Sequence, residues 1–189
     1  AVNAPPFKER GKVTDEYIMA FRELWSAENP NFKGKYTEFS DIFFAPKPVQ
    51  TPHPPIWIGG ESMPAIRRTA RLGDAWFPIG CNPHHPLDTI KKFSAGLDSL
   101  NAEAEKIDRD PASIDLAFWA VWYGGNTPTI LDSGERMVLT GSADDIAGDI
   151  KAFEGLGVRH VLFNFLGATL EDSLGNMEGF AANVMPLVR

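Results

Sequence analysis

The residues best placed to do chemistry lie in one run, Pro55-Ile56-Trp57-Ile58-Gly59-Gly60-Glu61-Ser62-Met63-Pro64-Ala65-Ile66-Arg67-Arg68. A short apolar strand runs into two glycines, and Ser62 stands where a helix N-cap belongs, with Pro64 in the first helical turn. Such a turn aims free backbone N–H groups and the positive end of the helix dipole at whatever sits above the strand, which is the chemistry of phosphate binding. Gly59 and Gly60 would let a phosphate approach the backbone, and the Ser62 hydroxyl could donate a further hydrogen bond. From pattern alone the same stretch also reads as a tight strand-to-helix turn with no ligand.

Other candidates carry less. Cys81, His84 and His85 share one short loop, but they lack the repeated pairing of a zinc motif, so the expectation is a plain loop leading to a helix at Pro86 and no metal. Arg67 and Arg68 fall beyond the first helical turn, which makes an exposed helix face their default and a phosphate contact the lesser alternative. Asp144 and Asp145 suit the positive end of a helix better than an acid/base pair. His160 is expected just before a strand, at its amino end, and receives no catalytic role. Catalytic residues are therefore unknown at this level.

Positioning the Gly59–Ser62 run needs a strand below it and a helix beyond it, and the sequence repeats that plan. Apolar strands at Ile56–Ile58, Ala75–Ile79, Leu116–Tyr123 and Val161–Leu166 alternate with helices over Met63–Leu72, Pro86–Glu105, Ser142–Leu156 and Leu170–Val188. Strands this continuously apolar suit a parallel sheet covered by helices. Ser142 with Asp145, and Thr169 with Asp172, have capping-box spacing, although Asp replaces the usual Glu or Gln. Gly73 and Gly157 each follow a Leu at a helix end, where a left-handed cap favours glycine.

Upstream, Val13, Tyr17, Ile18, Phe21, Leu24 and Trp25 recur at helical spacing behind Thr14-Asp15-Glu16, with Thr14 as the expected cap. Asn29-Pro30 stops that helix. Phe32–Phe39 and Ile42–Ala45 then read as an antiparallel β-excursion, and Pro46–Pro55 as a stiff connector. The expected division is 1–28, leading helix; 29–55, β-excursion and connector; 56–189, four βα units. A closed (βα)8 barrel takes about 250 residues. The fold class expected is therefore α/β, a TIM-type barrel of which this chain supplies about the last four βα units plus a small β insertion. The rival, an open doubly wound sheet, lacks its G-x-G-x-x-G fingerprint.

The 189 residues are 43% hydrophobic and 23% charged, an ordinary globular composition. The net charge of -7 comes from scattered acids and leaves no basic stripe, so nucleic acid is a poor partner. Cys81 alone cannot form an internal disulfide, and no apolar run approaches the roughly 20 residues of a membrane-spanning helix. A cytoplasmic protein away from membranes is expected. Ala1-Val2-Asn3-Ala4-Pro5-Pro6 contains neither an initiator Met nor a signal-peptide pattern, as expected of a sequence that begins partway through a barrel.

Several stretches together resemble the luciferase-like monooxygenase superfamily: Thr14-Asp15-Glu16-Tyr17, Leu24-Trp25, Phe32-x-Gly34-Lys35-Tyr36, Pro46-Lys47-Pro48-Val49-Gln50 and Pro52-His53-Pro54-Pro55-Ile56-Trp57-Ile58-Gly59-Gly60. Ala70-Arg71-Leu72-Gly73-Asp74-Ala75-Trp76-Phe77-Pro78, Thr140-Gly141-Ser142 and Gly157-Val158-x-His160-Val161-Leu162 continue the match across almost the whole chain. The resemblance implies a (βα)8 barrel that binds FMN or the 5-deazaflavin coenzyme F-420 at the carboxy ends of its strands. It implies that Gly59, Gly60, Glu61 and Ser62 hold the cofactor phosphate.

The function implied is a flavin- or deazaflavin-dependent oxidoreductase or monooxygenase, moving a hydride or activating oxygen on a small-molecule substrate. Trp57 and Trp76 would then either flank the isoalloxazine ring or pack as barrel layers. Family members bring an amino-terminal half that supplies other cofactor contacts, so the 189 residues alone are expected to be inactive. The alternative is a flavin-binding or storage protein on a shortened barrel, without turnover. A homo-oligomer is expected, since a half-barrel pairing with its own copy would bury open sheet edges that otherwise invite aggregation.

Overall fold

The computed structural model describes residues 5–123 and 127–188. Expectations that fall on residues 1–4, 124–126 and 189 lie outside the described residues. Two compact units divide after Ile56.

In the first unit a 3-10 turn, Phe7–Glu9, leads into α1, Arg10–Ser26. Thr14 was the expected cap, but it lies inside the helix and its hydroxyl donates to the Arg10 carbonyl at 2.9 Å. The apolar period starts at Val13, and Arg10, Gly11 and Lys12 extend the helix without an apolar side chain to announce it. The strands β1 (Phe32–Lys33) and β2 (Glu38–Phe39) pair antiparallel, with Phe32 stacked on Phe39 at 5.8 Å between ring centroids. Ile42–Ala45, expected to be extended alongside them, forms no strand.

The turn between β1 and β2 is held by a single carboxylate. Glu16 of α1 accepts the backbone N–H groups of Lys35 (2.8 Å), Tyr36 (2.6 Å) and Thr37 (2.8 Å). A Cβ at Gly34 would lie 2.2 Å from Glu16 Oε1, which explains the glycine in that turn. Burial of the carboxyl opposes ionisation, but the three N–H bonds outweigh it and hold Glu16 below the usual carboxylate range.

The second unit alternates β3 (Trp57–Gly59), α2 (Met63–Leu72), β4 (Ala75–Phe77), α3 (Ile90–Glu105), β5 (Asp115–Ala120), α4 (Ala143–Gly155), β6 (Val158–Phe163) and α5 (Leu170–Asn183). Its strands are all parallel, in the order β3-β4-β5-β6. Alternation sends Trp76 and Phe118 to the helix-covered face. There Trp76 stacks on Phe93 at 5.5 Å, and Phe153 meets Phe93 at 5.0 Å and Phe118 at 4.6 Å. All four rings are fully buried.

The opposite face carries Trp57, Phe77 and Trp119, joined at 5.4 and 6.1 Å. Trp57 on the first strand also meets His160 on the fourth, with ring centroids 5.2 Å apart. Strands spaced about 4.8 Å apart would set the first and fourth of a flat sheet roughly 14 Å from each other. A ring contact across that span requires the sheet to curl toward this face.

Several boundaries differ from expectation. β5 ends at Ala120 rather than Tyr123, and β6 begins at Val158 rather than Val161. His160 is thus within β6, opposite Ala117 after a register shift, rather than ahead of the strand. Its exposed neighbour Arg159 breaks the apolar run that marked the strand. α3 begins at Ile90, because the Thr89 hydroxyl caps it and Pro86–Asp88 form a lead-in. Gly73 is extended (φ -87) and makes no left-handed cap, whereas Gly157 does, at φ 90. Both capping boxes, Ser142/Asp145 and Thr169/Asp172, form in both directions.

The loop between β5 and α4 is pinned by Arg136. Its guanidinium pairs bidentately with Asp149 of α4 at 2.7 and 2.9 Å and donates to the Met137 and Thr140 carbonyls, while Asp149 also accepts Leu139 N–H at 2.7 Å. No helix among the described residues is long and apolar enough to cross a membrane.

Candidate functional site

The site is built at the carboxy end of β3. Gly59 closes the strand and Gly60 turns the chain at φ 104, a conformation that L side chains rarely adopt. A Cβ on Gly60 would stand 2.9 Å from Ala65 Cβ, so only glycine lets the turn tuck beneath the first turn of α2. The Trp76 indole N–H donates to the Gly60 carbonyl at 3.0 Å and fixes the turn from β4.

Ser62 occupies the N-cap position with extended backbone, but its hydroxyl makes no capping bond, contrary to the expectation of a cap. The caps of the other three helices of this unit do: Thr89, Ser142 and Thr169 each accept an N–H of the first turn. The orphan N–H groups that begin every helix are therefore not covered by Ser62 at α2. A glycine-lined turn, an uncapped helix start and a free hydroxyl can together accept an anion.

Glu61 does not point its carboxylate into this cradle. The side chain is buried (7% exposed) and turned toward the chain that follows β4, where Oε1 accepts Ile79 N–H at 2.7 Å and Oε2 accepts Asn82 Nδ2–H at 2.6 Å. Asn82 Oδ1 in turn accepts the backbone N–H groups of His84 (3.0 Å) and His85 (3.3 Å). Sequence reasoning missed Asn82 and the indole of Trp76 as supports of the turn. The only local hint at Asn82 was the Asn82-Pro83 turn dipeptide.

The remaining candidates fall elsewhere. Trp76 is fully buried among the helices, so it cannot flank a ring bound on the other face; period-two alternation separates it from Trp57. Arg67 pairs with Glu103 of α3 at 3.3 Å. Asp145 serves the α4 capping box, and its hydrogen bonds with the Ser142 hydroxyl and N–H keep its carboxyl below the usual range. Cys81, His84 and His85 are exposed, and no group of three or more His, Cys, Asp or Glu is arranged to hold a metal among the described residues.

A parallel α/β unit whose first strand ends in a glycine turn before an uncapped helix start is the class that fold and site define. The luciferase-like monooxygenase family model matches residues 1–129, and the chain belongs to that family. It is 32% identical over 187 residues to an FMNH2-dependent dimethylsulfone monooxygenase of Pseudomonas putida, across 94% of this chain and 47% of that protein. It is 25% identical to an F-420-dependent glucose-6-phosphate dehydrogenase of Amycolatopsis mediterranei, across 98% of this chain and 63% of that protein. The chain thus spans about half the length of the first of these relatives and less than two thirds of the second.

Among solved structures, an F-420-dependent secondary alcohol dehydrogenase bound to an F-420–acetone adduct superposes with a TM-score of 0.66 at 20% identity, covering 99% of this chain and 64% of that one. A monooxygenase from Streptomyces bottropensis gives 0.70 at 19% identity, covering 96% and 62%. These likenesses establish the α/β fold with its parallel sheet.

Proposed function

We propose that the protein carrying this chain is a flavin- or deazaflavin-dependent oxidoreductase whose cofactor phosphate rests on Gly59, Gly60, Ser62 and the backbone of Glu61. The observation that carries this reading is the turn itself: Gly60 held at φ 104 where a Cβ would strike Ala65, beside a Ser62 hydroxyl that its own helix leaves unused. A glycine turn that leaves helix-start N–H groups without a side-chain cap offers donors to a phosphate, which supports this reading. The relatives named above point to FMN or coenzyme F-420, and either would supply the hydride transfer or oxygen activation on a small organic substrate. This chain's residues bind and orient; none of those described is assigned as acid or base.

The chain forms about the last four βα units of a (βα)8 barrel. The Trp57–His160 contact supports this, because it curls the sheet toward a face that leaves Trp57 and Trp119 each 39% exposed for other strands to cover. The single Cys81, exposed and free, fits a reducing cytoplasm. Pairing of copies is the assembly that unpaired edges favour.

Fluorescence titration of FMN and of coenzyme F-420 into the protein at its full natural length tests the cofactor reading. One of the two should bind, and Gly60→Val and Ser62→Ala should each weaken it, by about tenfold for the loss of one hydrogen bond to a charged group. Unchanged affinity in both folded variants would reduce the Gly59–Ser62 run to a plain turn.

A further inference from the structure

Glu61 stands next to the cradle and yet spends both carboxylate oxygens on neutral donors from one neighbouring segment, the Ile79 N–H and the Asn82 amide. Taking a carboxylate out of water against neutral donors is costly, and a loop could be fastened with less. What this pair of donors meets is one side chain presenting two acceptor oxygens and no donor, which among side chains only a carboxylate does. The adjoining Gly60 has its carbonyl held by Trp76 of β4, the strand just ahead of that segment. The two anchors remove the freedom that two consecutive glycines bring to a turn. They also couple the cradle to Gly80–His85, since Asn82 orders the His84 and His85 N–H groups with its other polar atom.

We infer that Glu61 is a positioning residue that acts through Ile79 and Asn82, setting the backbone N–H groups of the Gly59–Ser62 cradle in their phosphate-accepting orientation before the cofactor arrives. The inference rests on the phosphate reading above and adds that the binding strength of the cradle is set by a side chain that never touches the phosphate. Preorganisation of this kind appears as ligand affinity, because the ordering is completed before binding.

A donor–acceptor swap tests it in the protein at its full natural length, with FMN and coenzyme F-420 as titrants. Glu61→Gln sets an amide donor against the Asn82 amide donor, and Asn82→Asp sets carboxylate against carboxylate. The double variant Glu61→Gln/Asn82→Asp restores one donor facing one acceptor at every bond and keeps the net charge of the parent. Each single variant should bind the cofactor about tenfold more weakly at a temperature where it is fully folded, and the double variant should recover most of that loss. Folded single variants with parental affinity and only a lowered thermal midpoint would overturn the inference, leaving a purely structural fastening. Should the singles fail to fold, a folded double variant with parental affinity supports it and a folded double variant that binds poorly overturns it. Parent protein that binds neither titrant would overturn the phosphate reading and this inference with it, an outcome distinct from parent that binds and variants that bind equally.

Discussion

At the scale of single residues, the Gly59–Ser62 turn separates what a side chain does from what its position suggests. Ser62 sits at a helix start without capping it, so Ser62→Ala should change stability by only a few tenths of a kcal/mol, whereas Thr169→Ala, which removes a formed cap, should cost about 1 kcal/mol. Urea unfolding of both variants checks the contrast, and equal losses would show that Ser62 caps after all. Gly60→Ala should cost about 1–3 kcal/mol, since it forces a Cβ into φ 104 and against Ala65. A change within experimental error would mean that the turn relaxes. The glycines themselves were legible in the sequence because they punctuate it. The fastening of Gly60 by Trp76 was not, since the indole reaches back from a strand 16 residues later in the chain.

At the scale of elements, two clamps tie loops to helices, and each makes a different measurement possible. Asp149 closes the loop ahead of α4 by holding Arg136 and the Leu139 N–H together. Asp149→Ala would leave a partly buried guanidinium and a buried amide without their acceptor, an expected loss of about 2–3 kcal/mol in urea unfolding; a loss below about 1 kcal/mol would place the pair among ordinary surface contacts. Glu16 holds the β1–β2 turn, and its folded-state carboxyl titrates below the usual range. Its contribution should thus be fully present above the ordinary carboxylate range and lost as pH falls through the lowered folded value. The gap in thermal midpoint between the parent and Glu16→Gln should be widest near neutrality and shrink toward pH 3. A gap that grows on acidification would contradict the assignment. Capping boxes were readable because both partners lie three residues apart, but α1 begins five residues ahead of the helix a Thr14 cap implies, because Arg10–Lys12 carry no apolar side chain, and β6 begins three residues ahead of Val161, because Arg159 and His160 interrupt its apolar run.

At the scale of the whole molecule, the four-strand parallel order followed from counting apolar runs, and the curl did not, because it depends on Trp57 meeting His160 across the width of the sheet. The face toward which the sheet curls holds Trp57, Phe77, Trp119 and Leu162, three of them large apolar side chains that remain well exposed. The 189-residue chain produced alone should therefore enhance the fluorescence of a hydrophobic dye, and the protein at full natural length should not; equal responses would count against the barrel proposal. The order β3-β4-β5-β6 has a kinetic consequence. β4, β5 and β6 each dock on the strand made just before them, so none of these three pairings skips over an intervening strand. The closure that brings Ala75 to Trp57 is less than half as long as those that bring Leu116 to Trp76 and Val158 to Leu116, so the β3–β4 pairing is favoured to form first. During synthesis each βα unit can settle onto a finished edge as it leaves the ribosome, so this sheet grows from one side only.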